Sequence, residues 1–413
     1  MTKIIGVKLK KYMETIDTNK STKKPRLRIM CNVNAPWSNS GYGVQTKLIT
    51  DRMVKENYEV ACVDFYGLEG GIFEKDGLKH YPRVGSAWGD DAIVMHGNAF
   101  KADVTFTLQD IWTLNPDWLK KAKRWIPILP VDHNPIPQPI FDRAKMAYRV
   151  VTYSKFGYDQ LQKLGMHSTY IQHAVDTSVF KNYNQKAEIR KELKIPSDIF
   201  LFGMVAANKD FPPRKSFQQC IDAFKMFYKE HSNSGMYFHT ILDQQGGFPI
   251  RKYWDFVGLP QDRIFFVEPY DFLFSVGRVE LAKIYNCFDV LLLPSLNEGF
   301  GVPIIEAQSC EVPVITNNWT AMPELIIDGK TGYLVKQNTK FFTGIGSYAA
   351  VPDTNDIYNG MISLFKKDRV EMGKAARKFI VDNYDIEKVY NEKWSPFLKM
   401  LENEVYPNQL TVK

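Results

Sequence analysis

The chain has 413 residues, 45% hydrophobic and 24% charged, the balance of an ordinary globular protein with room for two α/β domains. Its formal net charge of +7 suits anionic substrates or an acidic surface and excludes a histone-like polycation. No apolar run approaches the ~20 residues of a membrane span, and the five scattered cysteines, Cys31, Cys62, Cys220, Cys287 and Cys310, have no metal-ligand spacing, so reduced thiols in a cytoplasmic setting are expected.

Residues 1–24 carry seven lysines against Glu14 and Asp17. A solvated basic tail is the expectation; attraction to lipid or nucleic acid is the alternative, so peripheral membrane contact and a nucleic acid acceptor stay open. A first domain is expected over residues 25–182. It opens with a strand, Leu27 to Val33, a loop, Asn34 to Gly43, a helix, Val44 to Lys55, and a strand, Val60 to Phe65. Glycine where a strand hands over to a helix lets backbone approach a phosphate, which makes Gly41 and Gly43 candidates.

Val104 to Leu108 reads as a strand ending at Asp110, and Trp125 to Val131 as one ending at Asp132-His133-Asn134-Pro135. Polar clusters at the carboxyl ends of parallel strands are where α/β sheets bind ligands. The polar stretch 183–197 is the expected linker. A second domain, 198–384, opens with the strand Phe200 to Val205 and a loop reaching Arg214 and Lys215, followed by a helix from Ser216 to His231. A helix start does not favour cations through its dipole, so an Arg-Lys pair there makes sense with an anion between them.

Strands are predicted at Met236 to Leu242 and Arg263 to Val267, then a loop, Glu268-Pro269-Tyr270, and a helix from Val279 to Phe288. Val290 to Leu293 is too short for a helix and reads as a strand buried on both faces. A loop with Gly299 and Gly301 follows, then a short helix from Pro303 to Cys310 and a strand from Val312 to Thr316. Two carboxylates flank this βαβ loop, Glu298 inside it and Glu306 one turn into the helix, so both can face one crevice with the helix N-terminus. After Val335 a Gly/Thr/Asn-rich loop is expected, then helices at Asn355 to Lys366, Arg369 to Asn383 and Ile386 to Asn403, the last within a terminal segment 385–413.

The stretch Pro294, Ser295, Glu298, Gly299, Phe300, Gly301, Pro303, Glu306, Ala307, Pro313, Val314 and Ile315, followed by Pro323, Glu324, Asp328, Gly329, Thr331 and Gly332, resembles the E-x7-E signature of retaining GT-B glycosyltransferases. The resemblance is firm from about Asp198 to Val335 and fainter over Leu27 to Phe180. It implies an α/β GT-B fold: two Rossmann-like domains facing each other across a cleft, with the last helix crossing back to the first. It implies an enzyme that moves a hexose from a UDP- or GDP-sugar to a hydroxyl of a glycan, lipid or protein, with retention. Catalytic roles fall to Glu298, His133 and Lys215. Glu298 would hold donor-sugar hydroxyls, Glu306 the ribose, and Arg214 with Lys215 the diphosphate. Gly41, Gly43, Gly299, Phe300 and Gly301 would line the donor, Glu268 would lie at the nucleobase, and Tyr42 and Asp110 at the acceptor.

There are three departures. Asn208 stands where the family often has Arg, Ala174 where it has Gly, and Glu311 where Gly usually closes the helix, so that turn is expected to take another shape. With no D-x-D triplet, the expectation is no metal and no cofactor. The competing readings are a nucleotide-sugar epimerase, which would need further acid/base groups at the sugar, a phosphorylase, and a non-catalytic sugar-nucleotide or glycan-binding protein.

Overall fold

Short, wholly apolar runs form the strands of two sheets in the computed structural model, which describes residues 26–407. The basic tail assigned to residues 1–24 lies outside the described residues. The N-terminal sheet contains β1 (Arg28–Asn34), β2 (Glu59–Tyr66), β3 (Phe73–Lys75), β4 (Leu78–Tyr81), β5 (Val104–Thr107), β6 (Trp125–Leu129), β7 (Val151–Thr152) and β8 (Thr169–Tyr170). Their order is β3-β4-β2-β1-β5-β6-β7-β8, antiparallel at β3–β4 and parallel elsewhere. The C-terminal sheet contains β9 (Phe200–Val205), β10 (Ser234–His239), β11 (Ile264–Phe266), β12 (Val290–Leu293), β13 (Val314–Asn317) and β14 (Gly332–Val335), all parallel in the order β11-β10-β9-β12-β13-β14.

Each sheet reverses its winding once. The first does so between β1 and β5, the second between β9 and β12. A crevice opens outside the carboxyl ends of such strands. The segments that follow β1, β5, β6, β9 and β12 carry the residues singled out above, except Glu268, which follows β11.

Helix α1 (Gly41–Lys55) starts earlier than the sequence suggested. Ser40 is its cap, with the hydroxyl accepting from the Gly43 N–H at 3.0 Å, so Gly41 to Gly43 form the first helical turn instead of a loop. Gly43 is needed for packing: a Cβ there would lie 2.1 Å from Ser38 Oγ and 2.7 Å from the Ala35 carbonyl. A Cβ on Gly41 would meet nothing within 4 Å.

Four further helices frame the cleft: α2 (Lys155–Lys163), α3 (Phe217–Glu230), α4 (Pro269–Phe274) and α5 (Arg278–Cys287). Glu268-Pro269-Tyr270, expected as a loop, begins α4, because Pro269 is pre-set for the first helical position. Helix α6 (Val302–Ser309) leaves the central β12 loop, capped by Gly301 at φ 106°. At its far end Glu311 keeps the left-handed turn (φ 64°) that was expected to change shape. Its carboxylate accepts from Asn182 Nδ2 at 2.9 Å, which offsets part of the backbone strain.

The stretch after Val335, expected as a loop, holds a hairpin of β15 (Gln337–Phe342) and β16 (Tyr348–Pro352). Its side chains alternate too little to announce a strand, and its register is fixed by tertiary bonds: Tyr348 N–H donates to Asn134 O at 3.0 Å, and Asn317 Nδ2 to Ala350 O at 3.0 Å. Within the expected linker, the helix Lys186–Glu192 is docked on the C-terminal domain. Arg190 anchors it, donating to the carbonyls of Cys287, Ser197 and Ile199 and to Asp289.

The terminal segment returns to the N-terminal domain through Ile386–Val389, a wider turn at Tyr390–Trp394, and α7 (Ser395–Val405). The wider turn allows both Tyr390 and Trp394 to be buried. Trp394 and Phe397 pack against Phe106 of β5, and each such aromatic contributes roughly 2–3 kcal/mol by its burial. Among the described residues no helix is long and apolar enough to cross a membrane.

Candidate active site

On the C-terminal side, the loops after β9 and β12 are joined by Leu296 N–H donating to Arg214 O at 2.8 Å. Arg214 Nη1 donates to Asn297 O at 2.6 Å and lies 3.4 Å from Glu298 Oε2. Lys215 Nζ forms a close ion pair with Glu298 Oε1, which also accepts from Ser295 Oγ at 2.7 Å. Burial would push the Glu298 carboxyl up, but Lys215 and Arg214 overcome it and hold it at about 2. Burial, aided by Arg214, pulls Lys215 down to about 8. The two shifts describe a firmly ionised carboxylate beside an ammonium made labile by desolvation.

On the N-terminal side stand Asp110 after β5, Asp132 and His133 after β6, Tyr42 in the first turn of α1 and Tyr153 after β7. His133 Nδ1 is in close contact with Asp132 Oδ1. Burial and then the Asp132 charge lift the Asp110 carboxyl to about 6. Asp132 is pushed up by burial, but the hydrogen bond and charge of His133, with Arg214, keep it below its ordinary value. Burial and the charges of Asp110 and Asp132 raise Tyr42, whose hydroxyl meets that of Tyr153.

The halves face each other. The Arg214 charge acts on Asp110, Asp132 and Tyr42, all in the other domain. The loop at Gly299 approaches Tyr153 so closely that a Cβ there would lie 2.8 Å from its hydroxyl. Among the described residues, the backbone N–H groups of Gly299, Phe300 and Gly301 have no protein acceptor, and they stand at the start of α6, where an anion is favoured.

Glu306 holds different partners from Glu298. Tyr285 hydroxyl donates to its Oε2 at 2.8 Å, and Arg278 Nη1 lies 3.1 Å from its Oε1. Burial raises this carboxyl, and Arg278 and Tyr285 restrain the rise. Arg278 also lies over the Phe180 ring at 4.6 Å.

Other candidates fall elsewhere. Glu268 is exposed and, among the described residues, no side-chain bond ties it to the Arg214–Glu298 cluster. The Phe300 ring is buried edge-on against Tyr153, His173 and Tyr384, so it supports the loop from behind. Asn208 is committed to structure: its Nδ2 donates to Ile241 O, Leu242 O and Phe248 O, and its Oδ1 accepts from Phe248 N–H.

Sequence reasoning did not single out Tyr153, Arg278 or Tyr285 as site residues. Tyr285 lies on the helix expected from Val279 to Phe288, just before the strand that leads to Glu298, and nothing in its local pattern marks it as a site residue. Arg278 carried no signal either. A cluster with metal-ligand spacing among the described residues, Cys62, Asp64 and His80, is buried in β2 and β4, across β1 from Asp110 and Asp132.

The family Glycosyl transferases group 1 matches residues 268–343. The capsular polysaccharide biosynthesis glycosyltransferase CapM of Staphylococcus aureus is 23% identical over 263 residues, covering 63% of this chain and 61% of CapM. The fold is similar to that of sucrose-phosphate synthase from Thermosynechococcus elongatus, with a TM-score of 0.72 at 14% identity over 91% of this chain and 99% of that one. It is also similar to Anabaena HepE in complex with UDP and glucose, with a TM-score of 0.67 at 14% identity over 91% of this chain and all (100%) of that one. The chain therefore has the GT-B fold of these structures, and residues 268–343 form a domain that matches the Glycosyl transferases group 1 family.

Proposed function

We propose that the protein moves a hexose from a nucleoside-diphosphate sugar to an acceptor hydroxyl, with retention of configuration and with no metal clamp. The observation that carries this reading is the Arg214–Lys215–Glu298 cluster. It sets two cations, a carboxylate and the free N–H groups before α6 opposite Asp110, Asp132 and His133.

In this reading the diphosphate lies between Arg214, Lys215 and the start of α6, which stabilise the negative charge that grows on the leaving group. Glu298 accepts from donor-sugar hydroxyls while Lys215 turns to the phosphate. Glu306 accepts from the ribose, and His133, oriented by Asp132, lies on the sugar side. The anomeric carbon–phosphate oxygen bond breaks and the anomeric carbon–acceptor oxygen bond forms on the same face. The acceptor's proton passes to the departing phosphate oxygen. Asp110, whose carboxyl burial and the Asp132 charge lift to about 6, and Tyr42 hold the acceptor.

HepE was solved with UDP and CapM acts in capsular polysaccharide biosynthesis, so UDP-sugars and glycan acceptors come first in a test. Incubation with UDP-glucose, UDP-N-acetylglucosamine and GDP-mannose should release one nucleoside diphosphate, and proton NMR of the product should show the donor's anomeric configuration. Inverted product sinks the retaining mechanism. Absence of release with all three, together with absent UDP and GDP binding, sinks the donor assignment.

A further inference from the structure

A cavity of about 600 Å3 opens beside the site, walled by Trp37, Tyr66 and Trp88 of the N-terminal domain and by the Phe272–Phe274 end of α4. Trp37 is 40%, Trp88 44%, Tyr66 59% and Phe274 73% exposed. Four large aromatic side chains left in water around one concavity mark a binding surface.

The rings are held. Trp37 Nε1 donates to Gly67 O at 3.0 Å, and the ring meets the His80 imidazole at 4.9 Å in a T-shaped contact. His80 is itself fixed by the buried Asp64, Nδ1 to Oδ2 at 2.6 Å, with Phe73 stacked on it at 5.1 Å. The buried Asp64–His80 pair, which lies outside the donor site, thereby sets the platform under Trp37. The Trp88 carbonyl accepts from Asn32 Nδ2 at 2.9 Å and Gln109 Nε2 at 3.3 Å, so the residue next to Asp110 also positions the Trp88 loop.

Polar groups are interleaved with the rings. Glu69 and Arg83 form a 3.2 Å ion pair at the wall, and Asn39 Nδ2 reaches Val276 O of the other domain at 3.2 Å. Flat aromatic faces with hydrogen-bonding groups at their edges match a pyranose ring, which has apolar C–H faces and hydroxyls around its rim. An acyl chain would leave the Glu69–Arg83 pair facing hydrocarbon. A nucleic acid strand needs cations free for phosphates, and Arg83 is already paired. The position fits as well, since Trp37 to Asn39 line the cavity and Tyr42, three residues on, faces Asp110 and Asp132.

We propose that this cavity holds a non-reacting ring of an oligosaccharide acceptor. The proposal rests on the glycosyltransferase reading above and narrows its acceptor to a saccharide of more than one ring. The test is a glycan array of bacterial and plant oligosaccharides probed with the labelled full chain and with Trp88→Ala, Tyr66→Ala and Phe274→Ser, each first checked for an unchanged melting temperature. Wild type should retain oligosaccharides of one linkage type, and each variant should lose at least tenfold in signal. Titration of wild type with UDP runs in parallel and tests the donor reading alone. Retention of no saccharide, or equal retention by the variants, overturns the platform even when UDP binds. Capture instead by phosphatidylglycerol vesicles or an oligothymidylate, lost in the same variants, overturns it in favour of a lipid or a nucleic acid.

Discussion

Glu324 of the C-terminal domain accepts a hydrogen bond at 3.1 Å from the backbone N–H of Phe156, in the first turn of α2 in the other domain. The contact latches the two domains beside the cleft. A carboxylate at a helix N-terminus is ordinarily favoured as the anion, but burial wins here and lifts Glu324 from 4.5 to about 7. The folded protein then keeps a proton that the unfolded chain releases. Stability from this group is therefore full below about 4.5 and declines as pH rises through about 7. Glu324→Gln keeps the acceptor oxygen and removes the titration. Its unfolding free energy should pull ahead of wild type as pH rises across that window, by roughly 1–2 kcal/mol once solvent screening at a half-buried carboxyl is allowed for. Parallel curves for the two proteins would show that the latch does not titrate.

Lys215 and Glu298 form a buried pair, so removing both should cost less than the sum of removing each. Glu298→Leu leaves the Lys215 and Arg214 cations without their shared counter-charge, at a cost of about 3 kcal/mol. Lys215→Met leaves Glu298 with Arg214 still 3.4 Å away and should cost less. The double variant, measured by urea unfolding, should fall short of the sum by roughly 1–3 kcal/mol. Simple additivity would mean the pair is not coupled in solution.

The lowered Lys215 pKa of about 8 gives the donor reading a pH signature. Above that value the ammonium loses its proton and, with it, its attraction for a diphosphate. The Kd for UDP should rise as pH climbs through about 8 in wild type. Lys215→Arg, which stays charged, should flatten that rise. Calorimetric titration at several pH values decides it, and equal slopes for both proteins would remove Lys215 from the phosphate.

Glu306 needs a gentler probe than truncation. Glu306→Ala strips a buried partner from the Tyr285 hydroxyl and the counter-charge from Arg278, at a cost of about 1–3 kcal/mol. Glu306→Gln keeps an acceptor for Tyr285 and, although it also removes the counter-charge from Arg278, should cost less than Ala. If the ribose assignment holds, Gln should raise the KM for a UDP-sugar at least tenfold with little change in kcat, and Ala should abolish turnover. An unchanged KM in the Gln variant would assign Glu306 to the fold alone.

What the sequence disclosed follows from how far each signal reaches along the chain. Val290 to Leu293, Phe200 to Val205 and the glycines and Pro303 around Glu298 are local patterns, and they placed the centre of the C-terminal sheet and the α6 loop. The same local reading paired Glu298 with Glu306 in one crevice. It could not show that Lys215 and Arg214 engage the first while Arg278 and Tyr285 engage the second, since Lys215 lies 83 and Tyr285 21 residues from its carboxylate, and Arg214 and Arg278 also sit on other elements. The β15–β16 hairpin was illegible for a related reason: its strands are stabilised by Asn134 and Asn317, outside the hairpin itself. Asn208, which stands where the resemblance has an arginine, staples three carbonyls with its side chain, a use with no sequence pattern.

Gly299 faces Tyr153 across the domain boundary. A methyl group at 299 would stand 2.8 Å from the Tyr153 hydroxyl and 3.4 Å from its Cε2. Tyr153 has little room to yield, because its ring is stacked on His173 at 3.9 Å and 17°. Gly299→Ala should therefore push the loop before α6 away from the N-terminal domain, at an overpacking cost of about 1–3 kcal/mol, and turnover of a UDP-sugar should fall tenfold or more. Tyr153→Phe removes the oxygen, and the remaining 3.4 Å approach is an ordinary contact. The double variant Gly299→Ala/Tyr153→Phe should then recover most of the lost melting temperature and turnover. A single variant as active as wild type would show that the loop moves freely, and failure of the second substitution to rescue would show that the hydroxyl is not what Gly299 makes room for.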